Sequence, residues 1–76
     1  MTRENIDLVV DLVASVLNLP SGAVNAETSM DNLAQWDSLA QLNICLAFQE
    51  RFGMNLDMET IARSTSVDSL AKILPK

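Results

Sequence analysis

The beginning of the chain alternates apolar and polar positions with the period of an α-helix. Across residues 5–17 an apolar stripe follows the i, i+3, i+4, i+7 spacing of one buried face. Its members are Ile6, Val9, Val10, Val13, Val16 and Leu17. Asp7, Asp11 and Ser15 lie on the opposite face. The pattern predicts an amphipathic helix that ends before Pro20, because proline cannot continue a helix.

A second helical pattern covers residues 38–51 and is apolar on more than one side. Its apolar residues are Leu39, Leu42, Ile44, Cys45, Leu46, Ala47 and Phe48, and the apolar Phe52 comes directly after residue 51. Gly53 comes next, and glycine commonly ends a helix because it adopts the left-handed conformation without strain. So broad an apolar surface predicts a helix that is buried on several sides or partly exposed for a partner.

Residues 18–36, between these two helices, consist largely of turn-forming residues and predict a long irregular loop. Spaced apolar residues are expected to anchor it to the helices: Val24, Met30, Leu33 and Trp36. One short turn is expected over residues 30–33. A connection of this length without regular structure is unusual in a small chain, which favours a functional loop.

The last part of the chain predicts two shorter elements. Asp57 can cap a short turn that reaches Ile61 or Ala62. Ser66 can cap a final helix that Pro75 ends. The buried stripe of that final helix is expected to be Val67, Leu70, Ala71 and Leu74.

These elements together predict an all-α fold, a small four-helix bundle with a long first loop and a short third helix. We expect a single domain over residues 1–76. With 49% apolar and 20% charged residues, the composition indicates a globular protein rather than a disordered one. The longest apolar run, residues 44–48, is far shorter than the roughly 20 residues of a membrane span, so no membrane insertion is expected.

The charge and cysteine content restrict the partners and the compartment. A net charge of −5 disfavours nucleic acid, whose phosphates require clusters of lysine and arginine. The single cysteine excludes an internal disulfide and suits the cytoplasm. Acidic residues soon after Arg3 do not match a signal peptide. We expect a cytoplasmic monomer, and the Met1 start and short tails favour a free-standing chain.

The chemistry of the chain centres on Asp37-Ser38-Leu39, at the start of the second helix. Asp37 is a preferred N-cap, and the Ser38 hydroxyl can point to solvent over the positive end of the helix dipole. A phosphate ester on that hydroxyl would lie beside free N–H donors. Nucleophilic catalysis is not indicated, because the chain has no histidine and no lysine placed to activate Ser38.

This stretch resembles the acyl carrier protein family, whose Asp-Ser-Leu signature stands here as Asp37-Ser38-Leu39. The resemblance extends over residues 6–74 and includes the long preceding loop and the Phe52-Gly53 ending of the helix. A second Asp-Ser-Leu, residues 68–70, lacks such a loop, and Ser66 already offers a cap there. We therefore interpret the second copy as an ordinary helix start.

The resemblance implies a non-enzymatic carrier. Ser38, flanked by Asp37 and Leu39, would hold 4'-phosphopantetheine drawn from coenzyme A, whose thiol carries acyl or aminoacyl cargo as a thioester. The implied partners are a phosphopantetheinyl transferase and acyl-loading ligase or synthase enzymes. The magnesium ion used during modification is expected at the transferase, with help from Asp37.

Other residues with chemical potential have plainer interpretations. Cys45 is expected in the core or in the lining of an acyl pocket, because a catalytic or metal role needs histidine or further cysteines. Trp36 is either an anchor that fixes the orientation of Ser38 or an exposed partner contact, and we favour the anchor. Asp31 and Asn32, with Glu27, do not match a calcium loop, so no metal bound by this chain alone is predicted.

One departure from the family pattern concerns docking. Carriers of primary fatty acid biosynthesis usually present an acidic second helix to basic patches of their enzymes. At the positions where acidic residues would be expected, this chain has Ala40, Asn43 and Gln49. Arg51 balances the charge of Glu50, so electrostatic steering of partners to this helix should be weak. Docking would then depend on apolar and hydrogen-bonding contacts, namely Leu39, Gln41, Leu42, Asn43 and Leu46.

We therefore expect a specialised carrier of a lipid or secondary-metabolite pathway, such as polyketide synthesis, rather than the housekeeping fatty acid carrier. The alternative is an unmodified helical protein–protein interaction module that holds a partner against the apolar second helix. An interaction module should tolerate Ser38→Ala, whereas a carrier should lose all loading. A hydrolytic enzyme is a distant third, since neither a base nor a metal site is indicated.

Overall fold

The computed structural model describes residues 3–74, apart from the side chain of Ser21, and within this range the chain forms four α-helices. These are α1 (Arg3–Leu17), α2 (Ser38–Phe52), α3 (Met58–Arg63) and α4 (Val67–Ile73). The predicted all-α bundle with a long first loop and a short third helix is confirmed. A 3-10 turn, Ser21–Ala23, lies in the loop that was expected to be irregular.

The core lies where α1 packs against both α2 and α4. Its largest fully buried side chains, in chain order, are Val9, Val13, Trp36, Ile44, Cys45, Phe48, Val67 and Leu70. The predicted stripe of α4 is confirmed, since Val67, Leu70, Ala71 and Leu74 are all buried.

The buried face of α1 is wider than predicted. Leu12 and Ala14 are buried, whereas Ile6, Val10, Val16 and Leu17 are only partly buried at the edge of the core. The reason is that α1 is covered by two helices, so its buried sector is wider than one stripe.

The conformation of Asn18, rather than Pro20, ends α1. Asn18 adopts the left-handed conformation, with φ of 59°. Its N–H donates to the Ser15 carbonyl (3.2 Å), and the Leu19 N–H donates to the Ala14 carbonyl (2.8 Å). This is a Schellman ending, in which asparagine takes the place usually held by glycine.

The long loop is held to the helices by its apolar anchors, as predicted. Val24 and Trp36 are buried, and Met30 and Leu33 are partly buried against the core. The expected short turn is present, because the Asn32 N–H donates to the Ser29 carbonyl (3.2 Å).

The loop is also joined to the start of α4 by main-chain hydrogen bonds. The Met30 N–H donates to the Thr65 carbonyl (2.8 Å), and the Val67 N–H donates to the Thr28 carbonyl (3.0 Å). They flank an isolated antiparallel bridge between Ser29 and Ser66. The loop is therefore a fixed part of the fold next to α4.

Both short helices start where the caps were predicted. The Asp57 carboxylate accepts the Thr60 N–H (2.8 Å), and the Ser66 hydroxyl accepts the Ser69 N–H (3.0 Å). The expectation that Pro75 ends α4 lies outside the described residues. Over the described range, no helix has the length and apolar character needed to cross a membrane.

Candidate functional site

The start of α2 is fixed by Asp37. Its backbone is extended, and its Oδ1 accepts the Ala40 N–H at 2.8 Å. The Asp37 carbonyl accepts the Gln41 N–H at 2.8 Å and begins the helical hydrogen bonds. The predicted N-cap is confirmed, and it places Ser38 as the first helical residue.

Ser38 is exposed, and its hydroxyl makes no hydrogen bond within the described part of the chain. It lies at the end of α2 where first-turn N–H groups give the helix its partial positive charge. No histidine occurs in the sequence to act as a general base. The arrangement suits a hydroxyl that accepts a phosphoester from another enzyme, and it does not suit a nucleophilic catalyst.

The second Asp-Ser-Leu is built differently. Ser69 is the third residue of α4, and its Oγ accepts the Ser66 N–H (3.1 Å) while the Ser66 Oγ accepts the Ser69 N–H (3.0 Å). The Ser69 Oγ also lies 2.8 Å from the Ser66 Oγ and 3.0 Å from the Ser66 carbonyl oxygen. This hydroxyl completes a capping box and is not available for modification without loss of those bonds.

Three leucines next to Ser38 form an exposed apolar surface, which we call the leucine face. Leu39, Leu42 and Leu46 are 68%, 46% and 58% exposed, and their spacing places them on one side of α2. Asn43 is exposed beside them. These four residues are where the docking prediction placed them, and whether a partner binds them remains a prediction.

An apolar groove of about 380 Å³ lies beside the leucine face, between α2 and α3. Its lining includes Ser38 and Leu42 from α2 and Met58, Ile61 and Ala62 from α3. Met58 is 75% exposed at the edge of this groove. A group attached to Ser38 would therefore have apolar surface directly beside it.

The prediction that Gln41 contacts partners is wrong. Gln41 is only 5% exposed, because it lies on the side of α2 that faces the Trp36 ring and the end of α3. Its amide bonds within the fold rather than with a partner. The sequence pattern does not reveal this role, because two of the partners, the Ile61 and Ser64 carbonyls, are distant in the chain.

Trp36 and Cys45 have the interior positions expected of them. Trp36 is 1% exposed and is a buried anchor immediately before the site, not a surface contact. Cys45 is also 1% exposed, and burial raises the pKa of its thiol. The thiol is therefore protonated at neutral pH and poorly reactive.

The surface of α2 carries little charge, but the three positions where acidic residues were expected do not all lie on that surface. Glu50 and Arg51 are both exposed and compensate each other. Of the three positions where acids were expected, Ala40 is buried, and the Gln49 Oε1 accepts the Leu56 N–H at 2.7 Å. Of the three, only Asn43 is exposed beside the leucine face, so it is the one position there at which an acidic side chain would add charge to this surface.

The polar residues of the long loop stabilise the loop itself. Asn32 Oδ1 accepts the Ser29 N–H (2.9 Å), and its Nδ2 donates to the Glu27 carbonyl (2.9 Å). Asp31 and the Glu27 side chain are exposed. Within residues 3–74 no group of acidic, cysteine or histidine side chains is arranged to hold a metal ion.

Comparison with known protein families gives a match over most of the chain. The model of a family described as a phosphopantetheine attachment site matches residues 7–74. A comparison with curated proteins finds no match. The matched range contains all of α2, α3 and α4 and most of α1.

Proposed function

Because the chain belongs to the phosphopantetheine attachment site family, we propose that it carries acyl or aminoacyl cargo on an arm attached to Ser38. Membership makes the chain a carrier domain rather than a catalyst, with covalently bound 4'-phosphopantetheine. When bound, the arm supplies a thiol that holds cargo as a thioester. The protein supplies the attachment point, the surface beside it and recognition by enzymes.

The choice of Ser38 rests on one observation, which is the state of the two candidate hydroxyls. The Ser38 hydroxyl is exposed and makes no hydrogen bond within the described residues, whereas the Ser69 hydroxyl is bound in a capping box. The apolar groove beside Ser38 could cover part of an arm, and the helix end favours a negatively charged phosphodiester. The surroundings of Ser38 therefore fit the group.

The chain provides no base for the attachment reaction. The phosphopantetheinyl transferase must accept the Ser38 proton and hold the magnesium ion. Asp37, which is exposed next to Ser38, is the residue of the carrier placed to help hold that ion. Further partners are acyl-loading ligase or synthase enzymes. We take the domain to comprise residues 1–76 and to act as a cytoplasmic monomer.

The surface of α2 supports our proposal for the cargo pathway. The leucine face is apolar, and the only charged residues of α2, Glu50 and Arg51, cancel. Enzymes that find their carrier through basic patches would bind this surface weakly, because it offers them little opposite charge. We therefore assign the carrier to a dedicated lipid or secondary-metabolite pathway rather than to housekeeping fatty acid biosynthesis.

A salt titration of binding to housekeeping fatty acid synthase enzymes tests this assignment. We expect weak binding that changes little with salt, since few charge pairs are available to be screened. Tight binding that weakens steeply with added salt would show that electrostatic docking operates and would contradict the assignment.

The decisive experiment is the intact mass of the protein after incubation with coenzyme A, magnesium and a broad-specificity phosphopantetheinyl transferase. The parent and Ser69→Ala should each gain one phosphopantetheine unit, and Ser38→Ala should gain none. Ser69→Ala is the matched control because it removes the same hydroxyl from the same tripeptide. A gain that persists in Ser38→Ala would show that the attachment site is elsewhere.

Thiol titration provides an independent measurement. Cys45 is buried and its pKa is raised, so the folded parent should react slowly with a thiol reagent. After loading, one rapidly reacting thiol should appear, which belongs to the arm. If several transferases load no arm onto a demonstrably folded sample, the leucine face would instead be the binding surface of an unmodified interaction module.

A further inference from the structure

A buried hydrogen-bond network connects the residue before the attachment site to the end of α3. The Trp36 Nε1–H donates to the Gln41 Oε1 at 2.7 Å. The Gln41 Nε2 donates to the Ile61 carbonyl at 2.7 Å and to the Ser64 carbonyl at 2.8 Å, with the Cys45 sulfur 3.4 Å away. We call the contacts of Gln41 with Trp36, Ile61 and Ser64 the glutamine clamp.

The chemistry of the partners fixes the orientation of this amide. The indole N–H can only donate, and the two backbone carbonyls can only accept. The carbonyl oxygen of Gln41 must therefore face Trp36, and its two N–H groups must face α3. Each polar atom of the side chain is satisfied, as a buried amide requires.

The glutamine clamp matters because α3 has few other attachments. The helix has six residues, and none of them is buried. A helix this short is not stable by propensity alone. Gln41 binds the carbonyl of Ile61, in the last turn, and that of Ser64, the C-cap residue. It thereby holds the helix against α2.

The position of α3 in turn determines what surrounds Ser38. Met58, Ile61 and Ala62 of α3 form the wall of the apolar groove opposite Ser38 and Leu42. A movement of α3 would change this groove and the exposed Met58, both of which lie next to the hydroxyl that is modified. Gln41 also lines this groove, but it is only 5% exposed and its amide is engaged in the glutamine clamp.

We propose that Gln41 is a positioning residue, which holds α3 in the place that a phosphopantetheinyl transferase must bind to modify Ser38. The proposal rests on the proposed function of Ser38. It predicts that loss of the glutamine clamp weakens productive binding of the carrier to the transferase. It also predicts little change in the chemical step, because the Ser38 hydroxyl and its helix end are unchanged.

Gln41→Glu is the principal test, and Gln49→Glu is its control. The glutamate at position 41 keeps an acceptor for Trp36 but turns an oxygen towards the Ile61 and Ser64 carbonyls, where donors are needed. At position 49 the native contact needs only an acceptor for the Leu56 N–H, which glutamate retains. Both variants add the same formal charge to the same helix, which controls for the change in net charge. The charge at position 41 is also buried, whereas position 49 is only partly buried, so the neutral variant Gln41→Asn is needed to separate loss of the clamp from the cost of burying a charge.

Steady-state kinetics of loading give the deciding measurement. For Gln41→Glu we expect the KM for the carrier to rise about fivefold to tenfold with kcat within about twofold. Gln49→Glu should remain within about twofold of the parent in both constants. Equal losses in the two variants would indicate a charge effect and would overturn the proposal.

Two further variants separate positioning from general destabilisation. Gln41→Asn is neutral but too short for its amide to reach Trp36 and α3 together, and should raise KM about threefold if Gln41→Glu proves not to fold. Val67→Ala weakens the core at α4 and leaves the clamp intact, so it should load with the parent KM while folded. A KM that rises as much in Val67→Ala as in Gln41→Asn would overturn the proposal.

Amide hydrogen exchange without transferase tests the structural step on its own. The α3 amides, including that of Ser64, should exchange faster in Gln41→Asn than in Gln49→Glu. If α3 loosens and KM stays at the parent value, the clamp has no role in modification and the proposal fails. Failure of the parent to load would instead refute the assignment of Ser38.

Discussion

The same tripeptide, Asp-Ser-Leu, begins two helices of this protein and has opposite roles in them. In α2 the aspartate is the N-cap, the serine is the exposed first residue, and Leu39 is 68% exposed. In α4 the cap is Ser66, two residues earlier, so Ser69 enters the capping box and Leu70 is fully buried. A shift of two positions relative to the N-cap therefore separates an exposed serine hydroxyl from one that is bound in a capping box.

This difference shows that the motif alone does not define the site. Each side chain of the tripeptide takes its environment from its place relative to the N-cap, which decides whether the hydroxyl is bound and where the leucine points. This dependence on the N-cap can be tested by comparing matched substitutions in the two copies of the tripeptide.

The largest expected contrast concerns the leucines. Leu70→Ala should lower the free energy of unfolding by about 2–5 kcal/mol, because it leaves a cavity in the core. Leu39→Ala should change it by less than about 0.5 kcal/mol, since Leu39 faces solvent. Urea denaturation followed by circular dichroism measures both, and similar losses would contradict the assignment of Leu39 to an exposed docking surface.

The aspartates should differ by a smaller amount. Asp37→Ala removes the N-cap of α2 and should cost about 1 kcal/mol of unfolding free energy. Asp68→Ala removes an exposed ion pair with Lys72 at 3.1 Å, which contributes less than about 0.5 kcal/mol. Asp37→Asn, which can still cap, is the control in the same denaturation experiment. A cost in Asp37→Asn equal to that in Asp37→Ala would mean that capping is not what Asp37 provides.

Of the two serines, Ser69 should matter more for stability, and Ser38 should matter more for loading. Ser69→Ala breaks the capping box and should cost about 0.5–1 kcal/mol. Ser38→Ala removes a hydroxyl that makes no hydrogen bond within the described chain, so the unfolding free energy should stay within about 0.5 kcal/mol. Thermal denaturation of the two variants measures the difference, and a marked loss in Ser38→Ala would reveal a structural role for that serine.

The smallest effect concerns acid, and it distinguishes a carboxylate cap from a hydroxyl cap. Hydrogen bonds from the Thr60 side chain and N–H lower the pKa of Asp57, which caps α3. The folded state therefore favours the ionised carboxylate, and the stabilisation present at neutral pH is lost as the pH falls below about 4. The cap of α4 is made by serine hydroxyls and has no such titration.

NMR measurement of the Thr60 and Ser69 amides from neutral to acidic pH checks this contrast. The Thr60 signal should shift as Asp57 is protonated, and the shift should disappear in Asp57→Asn. The Ser69 signal should change little over the same range. Equal shifts at both caps would point to general acid unfolding rather than titration of Asp57.

The sequence predicted the order of the helices because the residues that start and end them are strong signals. Asp37, Asp57 and Ser66 are caps that satisfy first-turn N–H groups, and Gly53 adopts the left-handed conformation, with φ of 63°, as expected. These signals depend only on neighbouring residues. The role of Asn18 in ending α1 was not predicted. Asparagine takes the left-handed conformation less often than glycine, and Pro20 alone was enough to predict an end to the helix.

The sequence could not predict which apolar side of α2 is covered. The leucine face and the buried Ile44 and Phe48 are equally apolar, so periodicity cannot separate them. The outcome depends on where α1 and α3 pack, which is tertiary information. Gln41 was assigned to the surface for the same reason, since a polar side chain is buried only when distant groups, here the Ile61 and Ser64 carbonyls, are brought to it.

The bridge between Ser29 and Ser66 has a consequence for how the protein opens. Its flanking main-chain hydrogen bonds close residues 29–66 into a ring that contains Ser38, α2 and α3. Loop-closure entropy favours the opening of such a ring, while the buried side chains of α2 resist it. We therefore expect Ser38 and the cap of α4 to open together, and local fraying of the chain ends should leave the environment of Ser38 unchanged.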